Sequence, residues 1–247
     1  MDSAGSGREG GDVERTKDKT RSRLVVLLGG LGALAIVLAA AGVLLLFSHA
    51  RFKQPSGSMW PTFEVGTTFT ADRFDRTPAR GAVIVFKFPE RPEQLFDKRV
   101  IAMPGDKLEV RGHTVLLNGW EVPKCRVGTA SYADAGEGTV HTGELFVEWL
   151  GAAVYLVFHD ADGLSASERG PYHAKPGEHL VLGDNRNNSH DSRMWWGGQG
   201  GGVPEANVVG RARTPDVPAL PPGSEGLRGA LDACLAKKPA QTEPPPP

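Results

Sequence analysis

The sequence predicts a mainly β domain of antiparallel sheets carried behind one N-terminal membrane helix, and three observations give that class. The run Leu24 to Phe47 carries no charge. As a helix rising about 1.5 Å per residue it reaches ~36 Å, against a hydrocarbon core of about 30 Å. Beyond it the pattern changes to short apolar runs bounded by Gly, Pro and Asp, with no helical period of convincing length. Finally, 32 glycines and 19 prolines against 7% aromatic residues suit a turn-rich β protein with flexible ends.

The elements follow in order. Residues 1–23 are polar and mixed in charge, and read as a disordered cytoplasmic tail. Residues 24–48 form the anchor. Arg15, Lys17, Lys19, Arg21 and Arg23 precede it, whereas Arg51 and Lys53 are the nearest cations after it. That excess places the N-terminus in the cytoplasm and the rest of the chain outside, so the expected location is the cell membrane, crossed once. Ser48-His49-Ala50 offers small residues for removal as a cleaved leader, but the apolar core exceeds the usual length of about 7–15 residues.

Strands are expected over 81–88, 98–102, 108–111, 114–117, within 144–158, and over 178–182. Asn118-Gly119 is the strongest hairpin signal, because both central residues of a type I′ turn need positive φ. Residues 49–213 form the domain, with 124–176 a variable region carrying no catalytic pattern. Residues 197–202 read as a flexible glycine loop and 214–247 as a Pro-rich tail. Leu227 to Leu235 is too short and polar to cross a membrane. The two cysteines, Cys125 and Cys234, either form one bridge across a long loop or both stay reduced.

A net charge of −1 gives no global field for nucleic acid, and no cluster of side chains has metal-ligand spacing. No cofactor is expected. The chemistry concentrates in three blocks. Ser58 lies in Pro55-Ser56-Gly57-Ser58-Met59-Trp60-Pro61-Thr62, and Lys98 in Lys98-Arg99-Val100-Ile101-Ala102-Met103-Pro104-Gly105-Asp106. The third block is Gly183-Asp184-Asn185-Arg186-Asn187-Asn188-Ser189-His190-Asp191-Ser192-Arg193.

A serine hydroxyl needs a base. None of the histidines forms a recognisable triad; Ser58–His190–Asp191 would require adjacent residues to fold back on one another. A lysine serves if burial lowers its pKa from about 10.4. In an extended strand Phe96, Lys98, Val100 and Ala102 share one face, which surrounds the amine with apolar groups, while Arg99 points to the other face and can pair with an acid.

In this order the three blocks resemble bacterial type I signal peptidase, a membrane-bound serine protease family, over roughly residues 50–213. The resemblance implies a signal-peptidase-like β domain that removes signal peptides from exported precursors, cleaving after small residues (Ala-x-Ala). Its partners are then precursor proteins and membrane lipid, without nucleic acid. It implies Ser58 as nucleophile, Lys98 as general base, and Ser56 with the Ser58 backbone amide as oxyanion hole. Ser189 orients the lysine, and Arg99, Asp184, Arg186, Asp191 and Arg193 support the site. Two positions depart from the family pattern: Asn187 stands where an acid is common, and Ala82 follows Arg80-Gly81 where an aspartate is common. The alternatives are another Ser/Lys protease of related fold and an inactive anchored peptide-binding β domain.

Overall fold

The computed structural model describes residues 28–40, 42, 48–134, 138–161 and 169–247. The chain divides into two compact units, residues 1–48 and 49–247. In the first, residues 28–40 are helical and exposed. They belong to the expected anchor, but most of the rest of that run, and all of the expected 1–23 tail, lie outside the described residues. Among the described residues no helix is long and apolar enough to cross a membrane.

The second unit is built from strands β1 (His49–Lys53), β2 (Thr68–Asp72), β3 (Val83–Phe88), β4 (Arg91–Ala102), β5 (Lys107–Arg111), β6 (Thr114–Leu117) and β7 (Trp120–Glu121). They are followed by β8 (Lys124–Ala133), β9 (Val140–Leu150), β10 (Ala153–Asp160), β11 (Arg169–His173), β12 (Glu178–Leu182), β13 (Val203–Pro204) and β14 (Val208–Ala212). A seven-stranded sheet runs β1-β2-β14-β3-β4-β12-β13, beside a three-stranded sheet β10-β9-β8 and a four-stranded sheet β11-β5-β6-β7. All of their strand pairings are antiparallel. Asn118 (φ 54°) and Gly119 (φ 82°) turn the chain from β6 into β7, as the Asn-Gly pair predicts.

β3 explains why the large sheet is apolar on both faces. Val83 and Val85 join a cluster with Met59, Phe63 and Phe69, while Ile84, Phe86 and Phe88 join one with Val181 and Trp195 on the other side. The continuous apolar run Val83–Phe86 therefore reflects a strand covered twice, where a one-faced strand would alternate. β4 lies beside it, with Ile84 opposite Lys98, Val85 opposite Asp97 and Val83 opposite Arg99. Its first five residues are exposed and its last five buried.

The segment 214–247 is no detached tail: residues Arg228–Leu235 form a helix whose Leu231 and Cys234 are buried against β8 and β9 residues. Cys234 is disulfide-bonded to Cys125 on β8, with a Cα–Cα distance of 5.7 Å. Leu231, Cys234 and Leu235 form one short apolar stripe, and the helix gains its stability from that packing and the covalent tie rather than from its length. Within residues 124–176, β8 and β9 pair over almost their full length.

Candidate active site

Ser58 lies in a single 3-10 turn, Gly57–Met59, that follows extended Ser56 (φ −130°, ψ 162°). Met59 and Trp60 are buried and pin the turn to the core, leaving Ser58 partly exposed. The turn tolerates nothing larger than glycine at 57, where a Cβ would collide with the Tyr132 ring and hydroxyl. Tyr132 in turn stacks on Trp60 at 4.9 Å. Its oxygen accepts hydrogen bonds from the Asn185 and Asn188 side-chain amides.

β4 delivers Lys98 to this turn. The residue is only 4% exposed, and its Nζ donates to Ser58 Oγ at 2.9 Å and to the Asp97 carbonyl at 2.7 Å. Its Nζ also lies 5.5 Å from the Phe96 ring centroid. Burial pushes the amine below its ordinary value, against the opposing pull of the Asp97, Asp191 and Asp184 carboxylates. Ser56 donates its hydroxyl to Ser58 Oγ at 3.2 Å.

Three arginine–carboxylate pairs hold the surroundings. Arg99 forks onto Asp184 (Nε–Oδ1 2.7 Å, Nη2–Oδ2 2.6 Å) and donates to the Gly81 carbonyl at 2.7 Å; its guanidinium lies 3.8 Å from the Tyr155 ring centroid. Thr62 also donates to Asp184, at 2.5 Å, tying the loop after Ser58 to the third block. Arg193 forks onto Asp191 at 2.8 and 2.7 Å. Burial pushes the Asp191 carboxyl up, but the Arg193 charge and hydrogen bonds outweigh it and leave the group below the usual range. Arg186 forks onto Glu148 at 2.8 and 2.6 Å. Such bidentate, charge-assisted pairs fix the planes of both partners.

The predicted residues therefore converge, with one difference. The buried Ser189 hydroxyl makes no hydrogen bond to Lys98, whose bonds go to Ser58 and the Asp97 carbonyl. Ser189 still adjoins the site: a Cβ at Gly183 would collide with both the Ser189 hydroxyl and the Ser58 carbonyl oxygen. His190 points away, edge-on to Phe88 and half exposed near Glu90. Asn187 donates to the Asp160 carbonyl, and Arg80 pairs with Asp106 at 2.7 Å in the absence of an acid at 82. Sequence reasoning missed Glu148, Tyr132 and Gly183 as contacts of the site. The first two lie on strands remote in sequence, so only the fold brings them close; Gly183 opens the third block, but nothing in that run marks it as the contact of Ser58 and Ser189. A cavity of about 560 Å³ lies behind the Arg99 side, lined by Thr62, Ala82, Arg99, Tyr155 and Pro215, but contains neither Ser58 nor Lys98.

A partly open serine hydroxyl touching a desolvated amine, on an antiparallel β scaffold, has the make-up of a Ser/Lys hydrolase. A family model described as signal peptidase, peptidase S26 matches residues 27–216, and the chain belongs to that family. It is similar to signal peptidase I of Pseudomonas fluorescens, at 32% identity over 69% of this chain and 65% of that protein. It is also similar to signal peptidase I of Leptolyngbya laminosa, at 30% identity over 75% of this chain and 77% of that protein. A solved signal peptidase I from Enterococcus faecalis V583 is 25% identical, with a TM-score of 0.32, over 55% of this chain and 97% of that one. The chain spans slightly under two thirds of the length of the Pseudomonas relative.

Proposed function

We propose that this chain is a membrane-bound serine endopeptidase that removes signal peptides from exported precursors, with Ser58 as nucleophile and Lys98 as general base. The observation that carries the reading is the 2.9 Å contact between a 4%-exposed Lys98 amine and the partly open Ser58 hydroxyl. Family membership supports the substrate class, and the apolar run 24–47 supports the anchor that would hold the enzyme at the membrane surface with its cleavage site.

The free amine of Lys98 takes the Ser58 proton as Oγ bonds to the carbonyl carbon of the scissile peptide. The Ser58 backbone N–H and the Ser56 hydroxyl, now 3.2 Å from Ser58 Oγ, would donate to the developing oxyanion. Lys98 then returns the proton to the leaving amine as the C–N bond breaks. Water, deprotonated by the same amine, releases the acyl group from Ser58. Ser189, beside Ser58 and the Asp191 carboxylate, would steady the lysine once a substrate displaces its present bonds. Asp184, Asp191, Arg99, Arg186 and Arg193 act as supports.

Cleavage of a test precursor bearing an Ala-x-Ala site should fall by about 10³-fold or more in both Ser58→Ala and Lys98→Ala, with circular dichroism unchanged. Cleavage retained near the parent rate by either purified variant would remove the assignment.

A further inference from the structure

Two carboxylates facing Lys98 from the loop after β12 are already neutralised. Asp184 is forked by Arg99 and Asp191 by Arg193. Asp97 is different. Its Oδ2 is sealed from solvent and has no hydrogen-bond partner among the described residues. The residues opposite on β3, Ile84 and Val85, carry no charge. On the side of the Ser58 turn, Ser56 and Ser58 are neutral, and His190 is turned toward Glu90. Arg99, next but one along the same face of β4, is committed to Asp184. Among the carboxylates acting on the lysine, Asp97 is therefore the one to which no arginine is bonded among the described residues, in a place where low polarisability of the surroundings lengthens its reach.

We propose that Asp97 is a positioning residue for the charge on Lys98, and that its buried carboxylate, bonded to no cation, sets the pH at which the lysine becomes a free amine. Desolvation favours losing the proton and Asp97 favours keeping it; the second effect limits the first. A lysine stripped of water with no compensating charge would ionise less and be a weaker base, because basicity and pKa fall together. Asp97 keeps the amine strong enough to take a hydroxyl proton while burial keeps it neutral enough to act. Burial also raises the Asp97 carboxyl itself, with the Lys98 charge opposing that rise and Asp184 adding to it, as expected for a group lacking its own cation.

The inference rests on the lysine-base reading, and the test separates the two. The pH dependence of kcat/KM is measured on the full chain with the same test precursor, for the parent, Asp97→Asn, Asp97→Glu and Asp97→Ser. The alkaline-rising limb should move to lower pH in Asp97→Asn and Asp97→Ser, with a lower plateau, and stay near the parent position in Asp97→Glu. A midpoint in the neutral variants that coincides with the parent's overturns the inference while leaving the lysine base intact. Parent-like cleavage by Lys98→Ala overturns both. If Asp97→Asn does not fold, Asp97→Ser carries the same comparison. A purely structural role would change the plateau or the melting temperature without moving the midpoint.

Discussion

Lys98 and Arg99 are neighbours on β4, are 4% and 2% exposed, and receive opposite treatment. Arg99 is saturated: two bonds to a carboxylate, one to a carbonyl, one to Thr62, and an aromatic ring against its face. Among the described residues Lys98 has only neutral acceptors, a hydroxyl and a peptide oxygen, and no salt bridge. Alternation along a strand sends the two cations to different faces, one with an acid waiting and one with Phe96, Val100 and a serine. Equal burial thus yields a locked charge on one face and a labile proton on the other. Burial alone does not define a base; burial without a directly bonded carboxylate does.

Three substitutions break or sharpen that contrast. The largest effect is expected from Lys98→Arg, which keeps the cation but cannot give a free base near neutral pH; cleavage should fall by about 10³-fold or more. Parent-like turnover measured in this variant would mean that charge, and not proton transfer, is what position 98 supplies. Next, Arg99→Leu should unfold more readily by about 3–5 kcal/mol, because it leaves the Asp184 carboxylate buried without its partner. Urea unfolding checks this, and a loss under about 1 kcal/mol would show that Asp184 is not sustained by the pair. The smallest effect has the opposite sign: Lys98→Met should stabilise the fold by about 0.5–2 kcal/mol while abolishing cleavage.

The sign of that last effect depends on pH. Burial holds the folded Lys98 pKa below its ordinary value. Below the folded pKa both folded and unfolded chains are protonated, so the cost of the buried charge is fully present. As pH rises through the folded value toward the unfolded one, the folded chain sheds its proton first and the cost is relieved. The advantage of Lys98→Met should therefore be greatest below the folded pKa and shrink as pH rises through it toward the unfolded value. His159 gives the complementary acid limb: buried beside Arg186, His113 and Lys124, its imidazole is pushed down to about 2. The unfolded chain then binds a proton near pH 6.5 that the folded chain refuses, and stability should drop as pH falls below that value. Thermal melts of His159→Phe between pH 4 and 7 should show a shallower loss than the parent.

The proposed dyad is legible in the sequence because its signals are local. Ser58 and Lys98 each sit in a compact run, and the alternation of Phe96, Lys98 and Val100 gives the lysine its apolar face before any fold is known. The strands 114–117 and 178–182 are legible for the same reason, as apolar runs ended by turn residues. What escapes is whatever the fold alone assembles. The first half of β4 contains Pro92, Glu93 and Gln94, which are exposed and sit at a register shift in the pairing with β3, so no apolar alternation marks them as strand. Glu148 carries no motif, yet it holds Arg186 across the interface between sheet and loop. The bridge between Cys125 and Cys234 spans a separation of 109 residues, which no local pattern decides. The carboxylate of Asp97 reads as an ordinary acid until its Oδ2 is seen to be buried without a hydrogen-bond partner among the described residues.

The position of β14 constrains when such an enzyme can first act. In the seven-stranded sheet, β14 lies between β2 and β3, so Val208–Ala212 joins the half that carries Ser58 to the half that carries Lys98. A chain emerging N-terminus first holds both functional residues long before it holds the strand that unites them. Contacts between such distant segments form late, because closing the intervening loop costs entropy before it is rewarded. Nascent chains halted before Val208 should therefore be inert even though Ser58 and Lys98 are already synthesised, and the proteolytic activity switches on as one of the last events of its own biogenesis.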